Sequence, residues 1–272
     1  MWQWPKRLFQ RLRIRFGATP ADLPEPLWQA TLLNYPFLAS QPPETLARLR
    51  KLTRLFLAQK EFHGAQGLKI TDEIAVTIAA QACLPILYFG TTAQALSWYD
   101  DFVGIVVHPS EVVAKRQSVD EAGVVHNYSE VVSGEAMDAG PVMLSWHDVT
   151  ATSPEQGYCV VIHEFVHKLD MRDGQADGCP PLPPGFMGAR SARGARQAWE
   201  ATLRSAFDDF SEQVIRAERF GAPPPWLDPY GAESMGEFFA VTSEAYFMNR
   251  PRFERDFAPL APLFKAFYRT PP

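Results

Sequence analysis

Residues 159–174 read CVVIHEFVHKLDMRDG and place two of the chain's six histidines, with a glutamate between them, inside an apolar run. Val160, Val161, Ile162, Phe165, Val166 and Leu169 mark a core segment, where an unpaired charge is costly. Helical periodicity sets His163 and His167 one turn apart on one face, with Cβ atoms roughly 5–6 Å apart. Both imidazoles then reach one cation of tetrahedral habit, at about 2.0–2.1 Å per nitrogen. Glu164 is rotated by about 100° from His163 and leans toward a water on that cation without being a ligand. The pattern is H-E-x-x-H, with zinc as the expected ion, one per chain. The plainer alternative, a core helix whose histidines are merely satisfied, accounts for neither the spacing nor the charge between them. Cys159, one turn before His163, reads as a small core residue and not as a ligand.

Just upstream, Ser153-Pro154-Glu155-Gln156 has the form of a helix start. Ser153 is the expected N-cap, Pro154 the first helical position and Gln156 the partner in a capping box. The helix is therefore expected over about 154–169. Further out, residues 44–62 carry apolar residues at spacings of three and four and read as an amphipathic helix, and TDEIAVTIAAQACL offers Thr71 and Asp72 as N-caps of a buried helix. The middle of the chain changes period. FVGIVVHP, GVVHNYSEVV and PVMLSW are short, β-branched or aromatic, and bounded by Gly or Pro, so they read as strands. Helices return at about 190–219, 233–248 and 252–268. Helix, then strands, then helices indicates an α+β fold rather than a doubly wound α/β sheet. One domain is expected over 26–272, behind a basic N-terminal arm, residues 1–25. PVMLSW (141–146) is the candidate sheet edge for an added peptide strand.

Composition narrows the class. The chain has 272 residues, 46% hydrophobic and 21% charged, enough to bury a sizeable core. Its net charge of −5 gives no general attraction for nucleic acid. Three cysteines without a C-x-x-C pattern suit a reducing, cytoplasmic setting. No apolar run approaches the roughly 20 residues that span a bilayer. Lys6, Arg7, Arg11, Arg13 and Arg15 lie among aromatic and aliphatic residues, so weak contact of residues 1–17 with an anionic membrane surface is an expectation.

A catalytic zinc usually takes three protein ligands and leaves a fourth position for water. Two segments compete for the third. Asp173 follows His167 at the metzincin offset, but Asp170 stands where that pattern requires a glycine. Glu237 lies among Phe238, Phe239, Ala240 and Val241, where a carboxylate needs a cationic partner. Glu244, two turns on, is either a ligand or the group that orients a histidine through its other ring nitrogen. Glu237 is the stronger candidate, and the others stay open on residues alone. In the expected chemistry Glu164 takes a proton from the attacking water and delivers it to the leaving amine. Tyr230, in the turn-like DPYGA, is the candidate donor to the oxyanion.

The segments HEFVHKLDMRDG, ITDEIAVTIAAQACLPIL (70–87), GPVMLSWHDV (140–149) and DPYGAESMGEFFAVTSEAYF (228–247), in this order, resemble the Mlc titration factor A family of bacterial zinc metallopeptidases. The likeness covers roughly residues 30–265. That family is similar to the catalytic domain of anthrax lethal factor, a gluzincin, which implies a zincin-like fold. It also implies His163, His167 and Glu237 as ligands, Glu164 as general base and Tyr230 as assistant. The resemblance further implies cytosolic aminopeptidase activity and binding of the glucose-responsive repressor Mlc. Gluzincins often carry an acidic residue four positions after the ligand Glu; here that position is Val241, leaving Glu244 or Asp170 to support a histidine. A rival from another class is a regulatory binding protein that sequesters a transcription factor and uses its zinc structurally. An intact Glu164 favours the enzyme, because a structural site needs no base beside the water.

Overall fold

In a computed structural model, residues 22–110, 112–119, 125–132, 134–136 and 140–271 are described. The expected basic arm therefore lies almost wholly outside the described residues; at its end Leu23 is buried and Glu25 opens a helix. The central element is the histidine helix, Val160–Asp170, in which every residue is buried. It packs against the glutamate helix, Met235–Met248, and against the helix Asp72–Ala82. Thr71 caps the latter as expected, its hydroxyl accepting from the Ile74 N–H at 3.2 Å.

The histidine helix begins six residues later than the Ser-Pro signal suggests. Residues 153–158 form a tight turn instead, closed by two backbone hydrogen bonds of 2.9 Å between Ser153 and Tyr158. Gly157 decides this. It sits at φ +66°, and a Cβ there would lie 2.9 Å from the Trp226 ring. Left-handed backbone next to a large ring ends any helix running from Pro154.

Among the described residues six strands occur, in chain order β1 (Glu61–Gly64), β2 (Gly104–His108), β3 (Val112–Val119), β4 (Val125–Val132), β5 (Gly134–Ala136) and β6 (Val142–Ser145). β3 and β4 form an antiparallel hairpin. The other four make one sheet in the order β1-β2-β6-β5, parallel except for β5. The fold is thus α-rich α+β with a small sheet, but PVMLSW is not its edge. β6 has β2 on one side and β5 on the other, because the chain leaving the hairpin returns antiparallel and covers it. The edge strand on that side is β5.

Two further expectations shift. The helix Pro43–Gln59 stops short of residue 62 because Lys60 turns extended and the chain enters β1. The helix expected over 252–268 is two, Arg250–Asp256 and Ala261–Tyr268. Pro259 and Pro262 explain the break, since each removes a backbone donor and crowds the preceding turn. Aromatic rings from the long helix Ala192–Phe220, the glutamate helix and the last helix (Trp199, Phe239, Phe264, Phe267) pack together, mostly edge to face. No helix among the described residues is long and apolar enough to cross a membrane.

Candidate metal centre

Two helices meet at three side chains. His163 and His167 point from one face of the histidine helix, their Nε2 atoms 3.1 Å apart. Glu237, on the third residue of the glutamate helix, brings Oε2 to 3.0 Å from His163 Nε2 and 3.2 Å from His167 Nε2. Ser234 starts that helix by accepting from the Glu237 N–H at 3.1 Å. The carboxylate is therefore free to face the imidazoles. The histidine side chains are 11% exposed and Glu237 is 20% exposed, so the triad is close to buried with one more open side.

The donor set suits a small divalent cation. An ion about 2.0–2.1 Å from each donor in tetrahedral arrangement requires donor separations of about 3.3–3.4 Å, close to those seen. The chemistry agrees. The other ring nitrogen of His163, Nδ1, donates to Glu244 Oε1 at 2.8 Å. With Nδ1 so engaged, His163 Nε2 faces a carboxylate oxygen, an approach that requires a cation between them or a proton on the ring. The electrostatics of the metal-free site call for the same positive charge. Burial pushes the Glu237 carboxyl up, but hydrogen bonds to His163 and His167 outweigh it and hold the group well below the carboxylate range. Burial likewise disfavours the His163 cation, yet Glu237 and Glu244 hold it well above the ordinary histidine value. The three residues fit zinc, which is built from nitrogen and oxygen donors of this kind.

Around the triad the other expected residues take distinct places. Glu164 is buried, and its burial raises its carboxyl above the usual value despite the two histidines. Tyr230 lies on a 3-10 turn, Pro229–Ala232, started by Asp228. Its ring centre is 6.1 Å from that of His163, and it is 38% exposed. Asp173 is not with the triad. Its carboxylate accepts from Arg196 at 3.1 Å, in a cluster with Asp177 and Glu200. Cys159 is buried, and its thiol donates to Gln81 at 3.1 Å.

Glu244 resolves the question left by Val241. One of its oxygens takes the His163 Nδ1 proton and the other accepts the backbone N–H of Cys159, the N-cap of the histidine helix. It thus fixes the ring that carries a donor and the end of the helix that carries the ring. Asp170 makes no such bond; its carboxyl accepts from the Gly178 N–H at 2.8 Å. A part-buried pair escapes sequence reasoning altogether. Lys168, fully buried next to His167, reaches Asp101 at 2.9 Å and lies 4.8 Å from the centre of the Phe102 ring. Nothing in the spacing signals it, since 67 residues separate the partners.

Comparison with known proteins adds independent support. The glucose-regulated metallo-peptidase M90 family matches residues 8–269. The chain is 32% identical over 253 residues to the Mlc titration factor A of Klebsiella pneumoniae (strain 342), covering 93% of this chain and 88% of that protein. It is similarly 32% identical to that of Cronobacter sakazakii, covering 100% and 92%. For the Salmonella arizonae protein of the same name the identity is 33%, covering 90% and 91%.

Proposed function

The chain belongs to the glucose-regulated metallo-peptidase M90 family, and from that premise we propose that it is a zinc-dependent peptidase whose ion is held by His163, His167 and Glu237. The observation that carries this reading is the convergence of those three donors from helices 70 residues apart in sequence. A bound zinc supplies Lewis acidity, making a water nucleophilic at neutral pH and polarising a carbonyl. The remaining chemistry falls to side chains. Glu164 accepts the proton of the attacking water and returns it to the leaving amine, a task its raised carboxyl suits. The Tyr230 hydroxyl donates to the oxyanion as it forms, from a turn open enough to adjust. Glu244 keeps His163 in the tautomer whose Nε2 is free.

We assign the substrate an extended backbone added as a strand beside β5, in the manner of a zincin-like peptidase, because β5 pairs only with β6 among the described residues. The family resemblance supports aminopeptidase specificity and a cytoplasmic location. The relatives' name, titration factor of Mlc, supports an Mlc-like repressor as partner of this chain. In the alternative, a sequestering protein with a structural zinc, Glu164 has no task. Glu164→Gln therefore separates the two. We expect full zinc content with peptide hydrolysis lowered by about 10²–10⁴-fold. Hydrolysis at the parental rate in that variant removes the mechanism, whatever the partner.

A further inference from the structure

The histidine helix ends at Asp170, and the chain then folds back through residues 171–178. Asp170 is completely buried. Its Oδ2 accepts from the Gly178 N–H at 2.8 Å, while Oδ1 has no hydrogen-bond partner. Gly178 is gripped from the other side as well, its carbonyl accepting from the Trp199 indole at 2.7 Å. This pinned glycine lies directly on the start of the glutamate helix. A Cβ on Gly178, at φ +80°, would come within 2.5 Å of the Met235 carbonyl oxygen. A Cβ on Gly236 would come within 2.8 Å of the Ala176 carbonyl oxygen and 3.6 Å of Asp170 Oδ2. Backbone thus rests on backbone one residue before Glu237, with the Asp170 carboxyl at the junction.

Resting on the metal reading above, we propose that Asp170 is a positioning residue. Through Gly178 it sets the height of the Met235–Gly236 turn, and so the reach of Glu237 toward the two imidazoles, without touching the ion. Two packed helices slide easily against each other, and a donor misplaced by a fraction of an ångström loses much of its bond to a small cation. A tie between the last residue of one helix and the first turn of the other removes that freedom. Burial raises the Asp170 carboxyl to about 8, against which the Gly178 N–H and Arg196 act to lower it and Asp173 and Asp177 to raise it. A carboxamide has the same shape and the same acceptor, which makes Asp170→Asn the conservative variant.

The test uses the full chain loaded with zinc, titrated with a chromogenic chelator, alongside thermal unfolding of the metal-free protein. Asp170→Ala should lose zinc affinity by about tenfold or more, with Asp170→Asn within about threefold of the parent by the same scale. A role confined to general stability would lower the metal-free melting temperature and leave the affinity of the folded protein unmoved; that result overturns the proposal, as does an Asp170→Asn as weak as the alanine variant. Should Asp170→Ala not fold, Gly236→Ala probes the other side of the junction. Weakened zinc with a near-parental metal-free melting temperature supports the tie, and parental affinity overturns it. Glu237→Ala, run beside them, keeps the two readings apart. If it binds zinc like the parent, the metal assignment itself fails; if it loses zinc while Asp170→Ala does not, only the tie fails.

Discussion

The two helices that build the centre contribute to it in opposite ways. The histidine helix delivers two donors from one turn of one rigid cylinder, so their separation follows from helical pitch alone. The glutamate helix delivers a single donor across an interface, and nothing local determines where Glu237 arrives. Its position is the sum of contacts elsewhere: the Gly178 and Gly236 junction at its first turn, and Glu244 two turns further on. The first half of the centre is a property of five residues. The second is a property of the fold, and it is there that substitutions outside the ligand set should act.

The strongest way to break this contrast is to remove the distant donor. Glu237→Ala leaves both imidazoles at their helical spacing and takes away the one proposed ligand that tertiary structure supplies. Zinc affinity should fall by about three orders of magnitude or more, on the order of 4 kcal/mol, read as metal content after dialysis against a mild chelator. The metal-free fold should persist, because a carboxylate 20% exposed contributes little packing. Retention of zinc by this variant would mean that the histidine helix holds the ion without help from its neighbour.

A smaller effect sharpens the comparison. Glu244 lies on the glutamate helix but serves the other one, accepting from His163 Nδ1 and from the Cys159 N–H. Both of its oxygens are acceptors in use. A glutamine presents one oxygen and one NH₂ group, and so confronts one of those two donors with another donor. Glu244→Gln is therefore expected to behave nearly as badly as Glu244→Ala, each costing about 10–100-fold in zinc affinity. Competition with a fluorescent zinc probe measures this. A glutamine variant at parental affinity would show that only one of the two bonds matters.

What could be read from the chain follows the same division. The meeting of His163 and His167 was legible because helical period acts within a single turn. Glu237 was legible for a different reason: a carboxylate among Phe238, Phe239 and Ala240 asks for a cation. Whether Glu244 or Asp170 supports a histidine was not decidable, since both are acidic residues at helical spacings and only packing tells them apart. The start of the histidine helix was misread because Ser153 and Pro154 are good helix openers, while Gly157 adopts left-handed backbone against Trp226, 69 residues away in the chain. β1 was invisible for want of pattern. Its four residues, Glu61–Gly64, are mostly exposed and pair on one side only, so no apolar alternation marks them. The edge position of β6 failed likewise, because strand order is set by the return of β5 and not by anything within PVMLSW.

The smallest expected effect concerns the residue that would have made the whole centre local. Asp173 follows His167 closely enough that, had it been a ligand, the histidine helix and its own exit would have supplied all three donors. Instead it pairs with Arg196, both side chains about one-third exposed, and Arg196 keeps Asp177 and Glu200 when Asp173 is removed. An ion pair that exposed, within a network that retains its other members, is worth about 1 kcal/mol or less. Asp173→Ala should thus shift the urea midpoint slightly and leave the chelator titration superimposable on the parent's. Zinc loss on the scale of Glu237→Ala would place a donor on the histidine helix's own side and dissolve the contrast. An unchanged titration means that the chain reaches past a carboxylate six residues from His167, to one that only the packing of a second helix can deliver.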